Sequence, residues 1–488
     1  MTIARELLIG GKSTPAAGGR TTPDTSPWTG EVVATVAAAE VRDVTSAVDA
    51  AQAQFEAWAE LDPRARRLIL TTAADELQRR GDEAVALMAA ETGALKANAR
   101  FNVAMAADIL RELAAGVTAP RGEVLTSSEA GTLSMAVRTP MGVVAALAPW
   151  NAPLILGVRA AAAPLAAGNT VVLKPSEEAP LMSGLFVADV LRDAGLPDGV
   201  LNVITNDPAD APAIVESLIA DERVRAVNFT GSSQVGRVIA ASAGRHLKPA
   251  VLELGGKNSV IVLADADLDY AVAATAFAAF SNSGQVCMSC DRILVHESRA
   301  REFTEKFLAK VATLTTGTPE DPGVKVGPMV NPAAAQRVSR LVADAVAAGA
   351  TVLAGGGEPD GSIHPVTVLA DLPRPAQLFH GETFGPVCAI DTFATDDEAV
   401  AKANDTEYGL TAGVITENAT HGLHIAQRLR TGIVHVNDQT LGDEPQAPFG
   451  GVKASGYGRF GGRWSLESFS DTRWITVASR HVGGKFRI

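Results

Sequence analysis

The sequence predicts an α/β protein, with a parallel β-sheet covered by helices on both faces and a second α/β section after it. Between Gly142 and Leu263, short apolar runs alternate with longer helix-like stretches, as in a parallel sheet whose two faces are buried. Amphipathic stretches and further apolar runs continue after Tyr270. The chain of 488 residues is 47 % hydrophobic. It is therefore long enough for about two to four domains with buried cores.

The first predicted element is a helix near the N-terminal end. Its apolar residues recur at spacings of three and four positions: Ala47, Val48, Ala51, Phe55 and Trp58. This spacing places them on one face of a helix. We therefore expect that face to be buried.

The middle of the chain contains the alternating strands and helices. The predicted strands are Val143–Leu147, Val171–Leu173, Leu201–Ile204, Val224–Phe229, Val251–Leu254 and Val260–Val262. The predicted helices are Val158–Ala167, Leu181–Ala194, Ala209–Ala220 and Val235–Ala243. Sheets of this kind bind ligands at the carboxyl ends of their strands. We expect the functional residues to follow these runs.

The second section is predicted from the same two patterns. Its helices are Tyr270–Phe280, Arg301–Leu314 and Ala333–Ala348. Its strands include Val387–Ile390, Gly413–Thr416 and Gly432–Val436. A further segment, Arg121–Arg138, alternates polar and apolar residues. This alternation predicts a hairpin that lies outside both sections.

The charge balance and the cysteine content narrow the partners and the compartment. With 42 basic and 55 acidic residues, the net charge is -13, which argues against nucleic acid and against an anionic membrane surface. The longest apolar stretch, Met141–Leu173, is interrupted by prolines and polar residues, so we expect buried core and no membrane helix. Three cysteines and no recognisable signal peptide favour a cytoplasmic protein with free thiols.

Two glycine patterns resemble phosphate-binding loops. Gly456, Gly458 and Gly461 form G-x-G-x-x-G, but only 27 residues follow Gly461, which leaves little room for the βαβ unit that this fingerprint requires. The segment Phe229–Gly236 is better placed, because it follows a predicted strand and opens a predicted helix. It is consistent with a pyrophosphate site and equally with an ordinary turn capped by Ser232.

Three further patterns could contribute to catalysis or binding, and each also has a structural interpretation. Cys287 follows a Gly-containing turn, where a thiol can be reactive, although most free cysteines are inert core residues. Glu253 ends an apolar strand, so its pKa could be raised, but strand-end acids are common. Lys174 and Glu177 at another strand end can bind a ribose diol or form a solvated pair.

No metal site is predicted. Asp265, Asp267 and Asp269 have the spacing that begins an EF-hand loop. However, Tyr270 occupies the glycine position and Ala276 the twelfth position, where such a loop needs glutamate. These acids are better explained as residues that open a helix.

Seven short motifs occur in one order along nearly the whole chain. They are Pro149-Trp150-Asn151, Lys174-Pro175-Ser176-Glu177, Phe229-Thr230-Gly231-Ser232, Glu253-Leu254-Gly255-Gly256-Lys257, Gly284-Gln285-x-Cys287, Glu382-x-Phe384-Gly385-Pro386 and Pro448-Phe449-Gly450-Gly451-x-Lys453. In this order they resemble the NAD(P)-dependent aldehyde dehydrogenase superfamily. The resemblance implies a Rossmann-like NAD-binding domain, an α/β catalytic domain and a small bridging element for oligomerisation.

The resemblance also implies approximate boundaries and a self-associated state. The NAD-binding domain would comprise residues 1–120 and 140–254, and the catalytic domain residues 255–450. The oligomerisation element would comprise residues 121–139 and 469–488, and it would pair with a neighbouring subunit in a dimer or tetramer.

The cofactor implied is NAD, with NADP as an alternative. The turn from Gly231 to Gly236 would bind the pyrophosphate, Lys174 and Glu177 the adenosine ribose, and Glu382 the nicotinamide ribose. An acid at the ribose repels a 2′-phosphate, which favours NAD. The full set of expected cofactor-binding residues is Trp150, Lys174, Ser176, Glu177, Gly231, Ser232, Gly236, Leu254, Glu382 and Phe384.

The resemblance assigns the chemistry to three residues. Cys287 would attack the aldehyde and form a covalent thiohemiacetal, Asn151 would stabilise the oxyanion, and Glu253 would activate the water that hydrolyses the resulting thioester. Several members have a second active-site glutamate near the C-terminus. Here that position is Arg463, with Glu467 nearby, so Glu253 alone is assigned as the base.

Two further sequence segments suggest the class of aldehyde that is oxidised. Asn437-Asp438-Gln439-Thr440 and the segment Leu154–Arg159 resemble the branch that oxidises aromatic aldehydes, such as salicylaldehyde, vanillin and benzaldehyde. Leu156 and Phe449 are candidates for packing on the ring. Arg159 could bind a ring hydroxyl or a carboxylate, or lie in an ion pair. If it binds a phenol, Arg159→Ala should impair hydroxylated substrates more than benzaldehyde.

Two alternatives remain open from the sequence. One is a semialdehyde or aliphatic aldehyde dehydrogenase, for which Arg159 would bind a substrate carboxylate. The other is a non-catalytic binding protein of the same fold. The presence of Cys287, Glu253 and Asn151 disfavours the second alternative.

Overall fold

Two large sheets with helices on their faces and two three-stranded sheets make up the described part of the chain. The structure, a computed structural model, describes residues 3–478. Numbered along the chain, its strands are β1 (Ile3–Arg5), β2 (Leu7–Ile9), β3 (Lys12–Thr14), β4 (Thr21–Thr25), β5 (Val32–Ala37), β6 (Gly122–Leu125), β7 (Thr132–Pro140), β8 (Val143–Leu147), β9 (Thr170–Lys174), β10 (Leu201–Val203), β11 (Val224–Thr230), β12 (Ala250–Glu253), β13 (Asn258–Val262), β14 (Cys290–His296), β15 (Thr351–Ala354), β16 (Thr367–Ala370), β17 (Val387–Phe393), β18 (Thr411–Ile415), β19 (Ile433–Val436), β20 (Gly456–Tyr457) and β21 (Ser470–Ala478).

The α-helices cover the faces of both large sheets. They are α1 (Val41–Ala59), α2 (Pro63–Arg79), α3 (Gly81–Thr92), α4 (Lys96–Gly116), α5 (Pro153–Ala167), α6 (Phe186–Asp193), α7 (Ala211–Ala220), α8 (Ser233–Arg245), α9 (Leu268–Phe280), α10 (Glu297–Val311), α11 (Pro332–Ala347), α12 (Gln377–His380), α13 (Asp396–Asn404), α14 (Ala419–Ala426) and α15 (Gly462–Ser468). Within residues 3–478, none of the helices has the length and apolar character needed to cross a membrane.

The first large sheet has the strand order β20-β12-β11-β8-β9-β10-β2-β3. Its five central strands, β12 to β10 in this order, are parallel. The chain adds β9 and β10 on one side of β8 and then returns to add β11 and β12 on the other side. The strand order therefore reverses at β8, and a crevice at such a reversal is where open α/β sheets bind ligands.

Burial on both faces explains why the strands of this sheet are continuous apolar runs. In β8, Val143 and Ala145 pack towards α1, α7 and α8, whereas Val144 and Ala146 pack towards α2 to α6. Because successive side chains of a strand point to opposite faces, both sets must be apolar. The strands predicted for this sheet are confirmed.

The second large sheet has the order β15-β16-β17-β14-β13-β18-β19, and all of its strands except β15 run parallel. Helices α9 and α10 cover one face, and α11 to α14 cover the other. The predicted run Val260–Val262 lies in β13 and so belongs to this sheet. The four buried residues 254–257 connect β12 directly to β13 and thus join the two sheets.

The predicted hairpin at Arg121–Arg138 is present as β6 and β7, which pair antiparallel. Strand β21 pairs along the whole of β7, from Ser470 opposite Pro140 to Ala478 opposite Thr132. Part of the predicted element, residues 479–488, lies outside the described residues. Within the described part, the hairpin and β21 form a three-stranded sheet.

One predicted helix, Leu181–Ala194, is not continuous. The structure has a π-helical turn at residues 181–185 and only then α6. The Glu91 carboxylate accepts hydrogen bonds from the backbone N–H groups of Leu181 and Met182. This long-range contact fixes the first turn, and a local hydrophobic pattern cannot reveal it.

The G-x-G-x-x-G pattern near the C-terminal end has a packing explanation. Gly456 lies in β20, which pairs antiparallel with β12 at the edge of the first sheet. A Cβ atom on Gly456 would lie 2.0 Å from the carbonyl oxygen of Leu252. The glycine is therefore required by the close approach of two strands, and rejecting this pattern as a phosphate loop agrees with the structure.

Candidate functional site

Most of the predicted site residues meet in a cleft at the carboxyl ends of β8, β9 and β11, whereas Gly236, Arg159 and Phe449 do not line it. Two adjoining cavities of about 620 Å³ and 480 Å³ share Trp150 and Gly231 in their walls. The larger cavity is also lined by Lys174, Ser176 and Glu177. The smaller cavity is also lined by Asn151, Leu156, Ser232, Glu253, Leu254, Cys287, Glu382 and Phe384.

At the end of β9, Lys174 and Glu177 form a short ion pair, with 2.6 Å between Nζ and Oε1. Asn206 donates a second hydrogen bond to the same carboxylate oxygen at 2.9 Å. Burial opposes ionisation of Glu177, but the charge and hydrogen bond of Lys174 hold the pKa of Glu177 below its ordinary value. The larger cavity therefore contains a carboxylate that can accept hydrogen bonds from a diol.

The turn between β11 and α8 brings backbone close to this cleft. Ser232 caps α8 by accepting a hydrogen bond from the N–H of Val235. A Cβ on Gly231 would lie 2.5 Å from the ring of Phe229. At Gly236, a Cβ would lie 2.5 Å from the side chain of Leu254. The glycines thus allow a tight turn at a helix N-terminus, a geometry that fits the pyrophosphate of a dinucleotide.

The nucleophile candidate Cys287 follows an unusual turn between α9 and β14. Asn282, Ser283 and Gly284 are three consecutive residues in the left-handed region, with φ of 49°, 58° and 68°. A Cβ on Gly284 would lie 2.0 Å from the carbonyl oxygen of Gly385. Such strained backbone persists only where the surroundings fix it, and it is concentrated at functional sites.

Asparagine side chains hold this turn in place. Asn282 donates to the carbonyl oxygen of Asn151 at 2.9 Å, and Asn151 donates to the carbonyl oxygen of Gln285 at 3.0 Å. Asn258 donates to the carbonyl oxygen of Cys287 at 2.8 Å. Sequence reasoning identified Asn151 but missed Asn258 and Asn282. An asparagine two positions before a glycine in a predicted turn is the only local signal for Asn282.

The thiol of Cys287 and the carboxyl of Glu253 both favour their protonated forms. Burial raises the pKa of the Cys287 thiol well above its ordinary value, and the charges of Glu253 and Glu382 raise it further. Burial also raises the pKa of Glu253 to about 8, against the opposing charges of Arg159 and Arg459. The Oε1 atom of Glu253 is buried without a hydrogen-bond partner. The same carboxyl accepts a backbone hydrogen bond from Gly451, so one oxygen is held and the other is free, as suits a group that exchanges a proton.

Arg159 lies in an ion pair, one of its three predicted alternatives. Its Nη2 donates to both carboxylate oxygens of Asp443, at 2.8 and 2.7 Å, and the two side chains are 4 % and 8 % exposed. Its guanidinium also stacks on Phe449, 4.4 Å from the ring centroid. Contact of Arg159 or Phe449 with a substrate ring stays a prediction, and Leu156 is the one of the three that lines the smaller cavity.

Glu382 approaches the connector between the two sheets. Its Oε1 accepts a hydrogen bond from the N–H of Gly256 at 3.1 Å, and a Cβ on Gly255 would lie 2.6 Å from its other oxygen. Burial raises the pKa of Glu382 to about 8. Phe384 has a φ of 46° and meets Trp150 edge-on, with 5.5 Å between ring centroids.

Arg463, at the position of the second glutamate, and the nearby Glu467 both lie outside the Cys287 cavity. Arg463 stacks on Trp464 and lines a different cavity, at the base of the hairpin. Glu467 forms an ion pair with Arg138. The carboxylates that line the Cys287 cavity are Glu253 and Glu382, and the assignment of the base role to Glu253 alone stays a prediction.

Comparison with known proteins gives a consistent result. Residues 14–475 match the model of the aldehyde dehydrogenase family. The chain is 52 % identical over 471 residues to a vanillin dehydrogenase of Pseudomonas sp. (strain HR199 / DSM 7063), covering 96 % of this chain and 97 % of the relative. It is 40 % identical over 461 residues to benzaldehyde dehydrogenase [NAD(+)] of Pseudomonas putida, covering 94 % of both chains.

A solved structure agrees closely with the fold. The crystal structure of a salicylaldehyde dehydrogenase from Pseudomonas putida G7, complexed with salicylaldehyde, superposes with a TM-score of 0.97 at 37 % identity. The alignment covers 99 % of this chain and all of the other.

Proposed function

The chain belongs to the aldehyde dehydrogenase family, and from this premise we propose that it oxidises aromatic aldehydes to carboxylic acids with NAD. The observation that supports this most directly is a single cavity lined by Cys287, Glu253 and Asn151 that adjoins a second cavity lined by Lys174, Glu177 and Gly231. The family, the fold and the resemblance to the aromatic branch, all expected from the sequence, are confirmed by the comparisons.

The first chemical step is addition of Cys287 to the aldehyde. Loss of the thiol proton to solvent water gives a thiolate, which forms the S–C bond while the carbonyl electron pair moves onto oxygen. We propose that the Asn151 amide, which here donates to Gln285, turns to the new oxyanion. The cleft residues Glu177, Gly231 and Glu382 would hold NAD. When bound, its nicotinamide supplies the hydride acceptor that converts the adduct to a thioester on Cys287.

Hydrolysis of the thioester is assigned to Glu253. As a carboxylate it removes a proton from water, the resulting hydroxide adds to the thioester carbon, and the Cys287 thiolate leaves with the S–C electron pair. The product is a carboxylate. With its pKa raised to about 8 by burial, Glu253 can gain and lose a proton close to neutral pH.

The proposed function is tested by NADH formation against a panel of aldehydes. Benzaldehyde, salicylaldehyde, vanillin, succinic semialdehyde and a linear aldehyde are each offered with NAD⁺ and with NADP⁺. We expect activity on the three aromatic aldehydes. Activity confined to the semialdehyde or the linear aldehyde would support the proposed mechanism but contradict the proposal that the substrates are aromatic. If no aldehyde of the panel is oxidised although the protein still binds NAD, a non-catalytic protein of this fold would be favoured.

Glu177 is expected to set the preference for NAD over NADP. Because its carboxylate is ionised at neutral pH, it should repel the 2′-phosphate of NADP. Glu177→Gln keeps the shape and removes the charge, and we expect it to narrow the ratio of kcat/KM for NAD to that for NADP by about tenfold. Glu178→Gln, one residue further along, is the matched control. An unchanged ratio in Glu177→Gln would reject this role.

Arg159 is expected to act on the ionisation of the site and not on the ring hydroxyl. Its charge lowers the pKa of both Glu253 and Cys287, so Arg159→Met should move the pH midpoint of activity upwards. Asp443→Asn removes a charge that raises both pKa values, so its midpoint should move downwards. Both variants are assayed with benzaldehyde and salicylaldehyde.

The two substrates separate this role from phenol binding. If Arg159 acts through charge, the loss of activity in Arg159→Met is equal for benzaldehyde and salicylaldehyde. A selective loss with salicylaldehyde and no displacement of the pH midpoint would instead support contact with the ring hydroxyl.

We also propose that the protein self-associates and is cytoplasmic. The three-stranded sheet of β6, β7 and β21 exposes large apolar side chains, with Trp474 72 % and Val124 76 % exposed; burial of such a patch favours association. All three cysteines are free, as suits a reducing compartment. Light scattering at micromolar concentration measures the mass, and we expect a dimer or tetramer; a monomer would refute self-association.

A further inference from the structure

A buried ion pair lies close to the Cys287 cavity without lining it. Lys257 Nζ and Asp291 Oδ2 are 3.0 Å apart, and the two side chains are 0 % and 4 % exposed. The proposed mechanism uses neither residue. A buried pair of this kind adds little net stability, because the loss of hydration offsets much of the attraction between the charges. A role for the pair must therefore be sought in the residues that it contacts.

Thr383 closes the pair into a small network. The Lys257 ammonium donates to the hydroxyl of Thr383 at 3.1 Å. The backbone N–H of Thr383 donates to the Asp291 carboxylate at 3.1 Å. The pair thus fixes both the side chain and the backbone of the residue that directly follows Glu382.

The same network joins three segments that meet at the cavity. Lys257 belongs to the connector between the sheets, next to Gly256, whose N–H donates to Glu382. Asp291 lies at the start of β14, four residues after Cys287. From α11, Arg337 donates to the carbonyl oxygens of the two residues that follow Glu382, at 2.7 and 3.2 Å. Glu382 is therefore held directly by Gly256, and the two residues after it are held by the ion pair and by Arg337.

We propose that Asp291 is a positioning residue that, through Lys257 and Thr383, holds Glu382 at the cofactor end of the Cys287 cavity. This inference rests on the proposed function, in which Glu382 binds the nicotinamide ribose. Cys287 itself has a separate anchor, because Asn258 holds its carbonyl oxygen. Loss of Asp291 should therefore weaken cofactor binding and leave the reactivity of the thiol intact.

The test compares NAD binding with a reaction of Cys287 that needs no cofactor. In Asp291→Asn, we expect the dissociation constant of NAD, measured by isothermal titration calorimetry, to rise about tenfold, as for the loss of roughly one hydrogen bond. The KM for NAD should rise with it. Hydrolysis of p-nitrophenyl acetate by Cys287, in the absence of NAD, should stay near the rate of the unsubstituted protein.

Two further variants separate positioning from general stability. Asp291→Glu keeps the carboxylate and should restore part of the NAD affinity. The double variant Lys257→Met/Asp291→Leu removes both charges and should fold, since apolar replacement of a buried pair is often neutral, yet still bind NAD weakly. Asp269→Asn, at the exposed pair with Lys306, is the control and should change nothing.

Each contrary result has a definite meaning. Unchanged NAD affinity in Asp291→Asn, or full affinity in the double variant, would overturn the positioning role. Parallel loss of NAD binding and ester hydrolysis in a folded Asp291→Asn variant would also overturn it, since the pair would then support the whole site. If the unsubstituted protein binds NAD but oxidises no aldehyde, the proposed function fails, while the weakened binding in Asp291→Asn still supports the inference.

Discussion

Replacing Cys287 by alanine is expected to abolish NADH formation with every aldehyde, leaving at most about a thousandth of the original rate. The physical reason is that an aldehyde carbon releases hydride readily only after a nucleophile has made it tetrahedral. Within the cavity, Cys287 is the side chain able to form that bond and later to leave as a thiolate. The measurement is the absorbance of NADH under saturating NAD.

Cys388→Ala is the matched control for this substitution. Cys388 is a free thiol that is 0 % exposed in the second sheet, and its replacement should leave the specific activity of the folded protein unchanged. Mass spectrometry after treatment with iodoacetamide should find the label on Cys287, whose side chain keeps some exposure in the cavity, whereas Cys290 and Cys388 are buried. Retained activity in Cys287→Ala would show that another group is the nucleophile.

Glu253→Gln is expected to stop the reaction after one turnover. Cys287 can still form the thioester, so each site should release one equivalent of NADH in a rapid burst. Steady-state turnover should then fall by about 10²- to 10⁴-fold, because the amide cannot accept a proton from water. Stopped-flow absorbance resolves the burst, and mass spectrometry of the quenched protein should find the acyl group on Cys287.

The same carboxyl should set the pH dependence of the steady state. A general base works only when deprotonated, and burial raises the pKa of Glu253 to about 8. The rate of the unsubstituted protein should therefore rise with pH through about 8, and Glu253→Gln should lose this rise. Glu467→Gln alters an acid outside the cavity and should behave like the unsubstituted protein. A burst in Glu467→Gln would show that the base is misassigned.

The strands and their functional ends were predictable because their signals are local. A strand such as β8, buried on both faces, must be apolar at every position. The turn that follows such a strand begins where the apolar run ends. Trp150, Lys174 and Gly231 therefore follow apolar runs in the sequence. Cys287 follows a buried helix and Glu253 ends a buried strand, but their catalytic roles came from the resemblance carried by the seven ordered motifs.

The pairings across the site could not be predicted in the same way. Arg159 and Asp443 are 284 positions apart, and no periodicity in the sequence links them. Lys257 and Asp291 form their pair only because β13 and β14 are neighbours in the second sheet. Local pattern describes how a residue sits in its own element, whereas the charges that set a pKa come from elements brought together by the tertiary fold.

The edge position of β20 determines when during synthesis Glu253 acquires its surroundings. Gly456 pairs with Glu253 itself, and Arg459 contributes to the electrostatic environment of that carboxyl. Both residues leave the ribosome about two hundred positions after Glu253. Until they emerge, β12 is an unpaired edge strand and its carboxyl lacks its final neighbours. The growing chain therefore lacks part of the environment of Glu253 until nearly its whole length has been translated, even though most of the first large sheet has already been made.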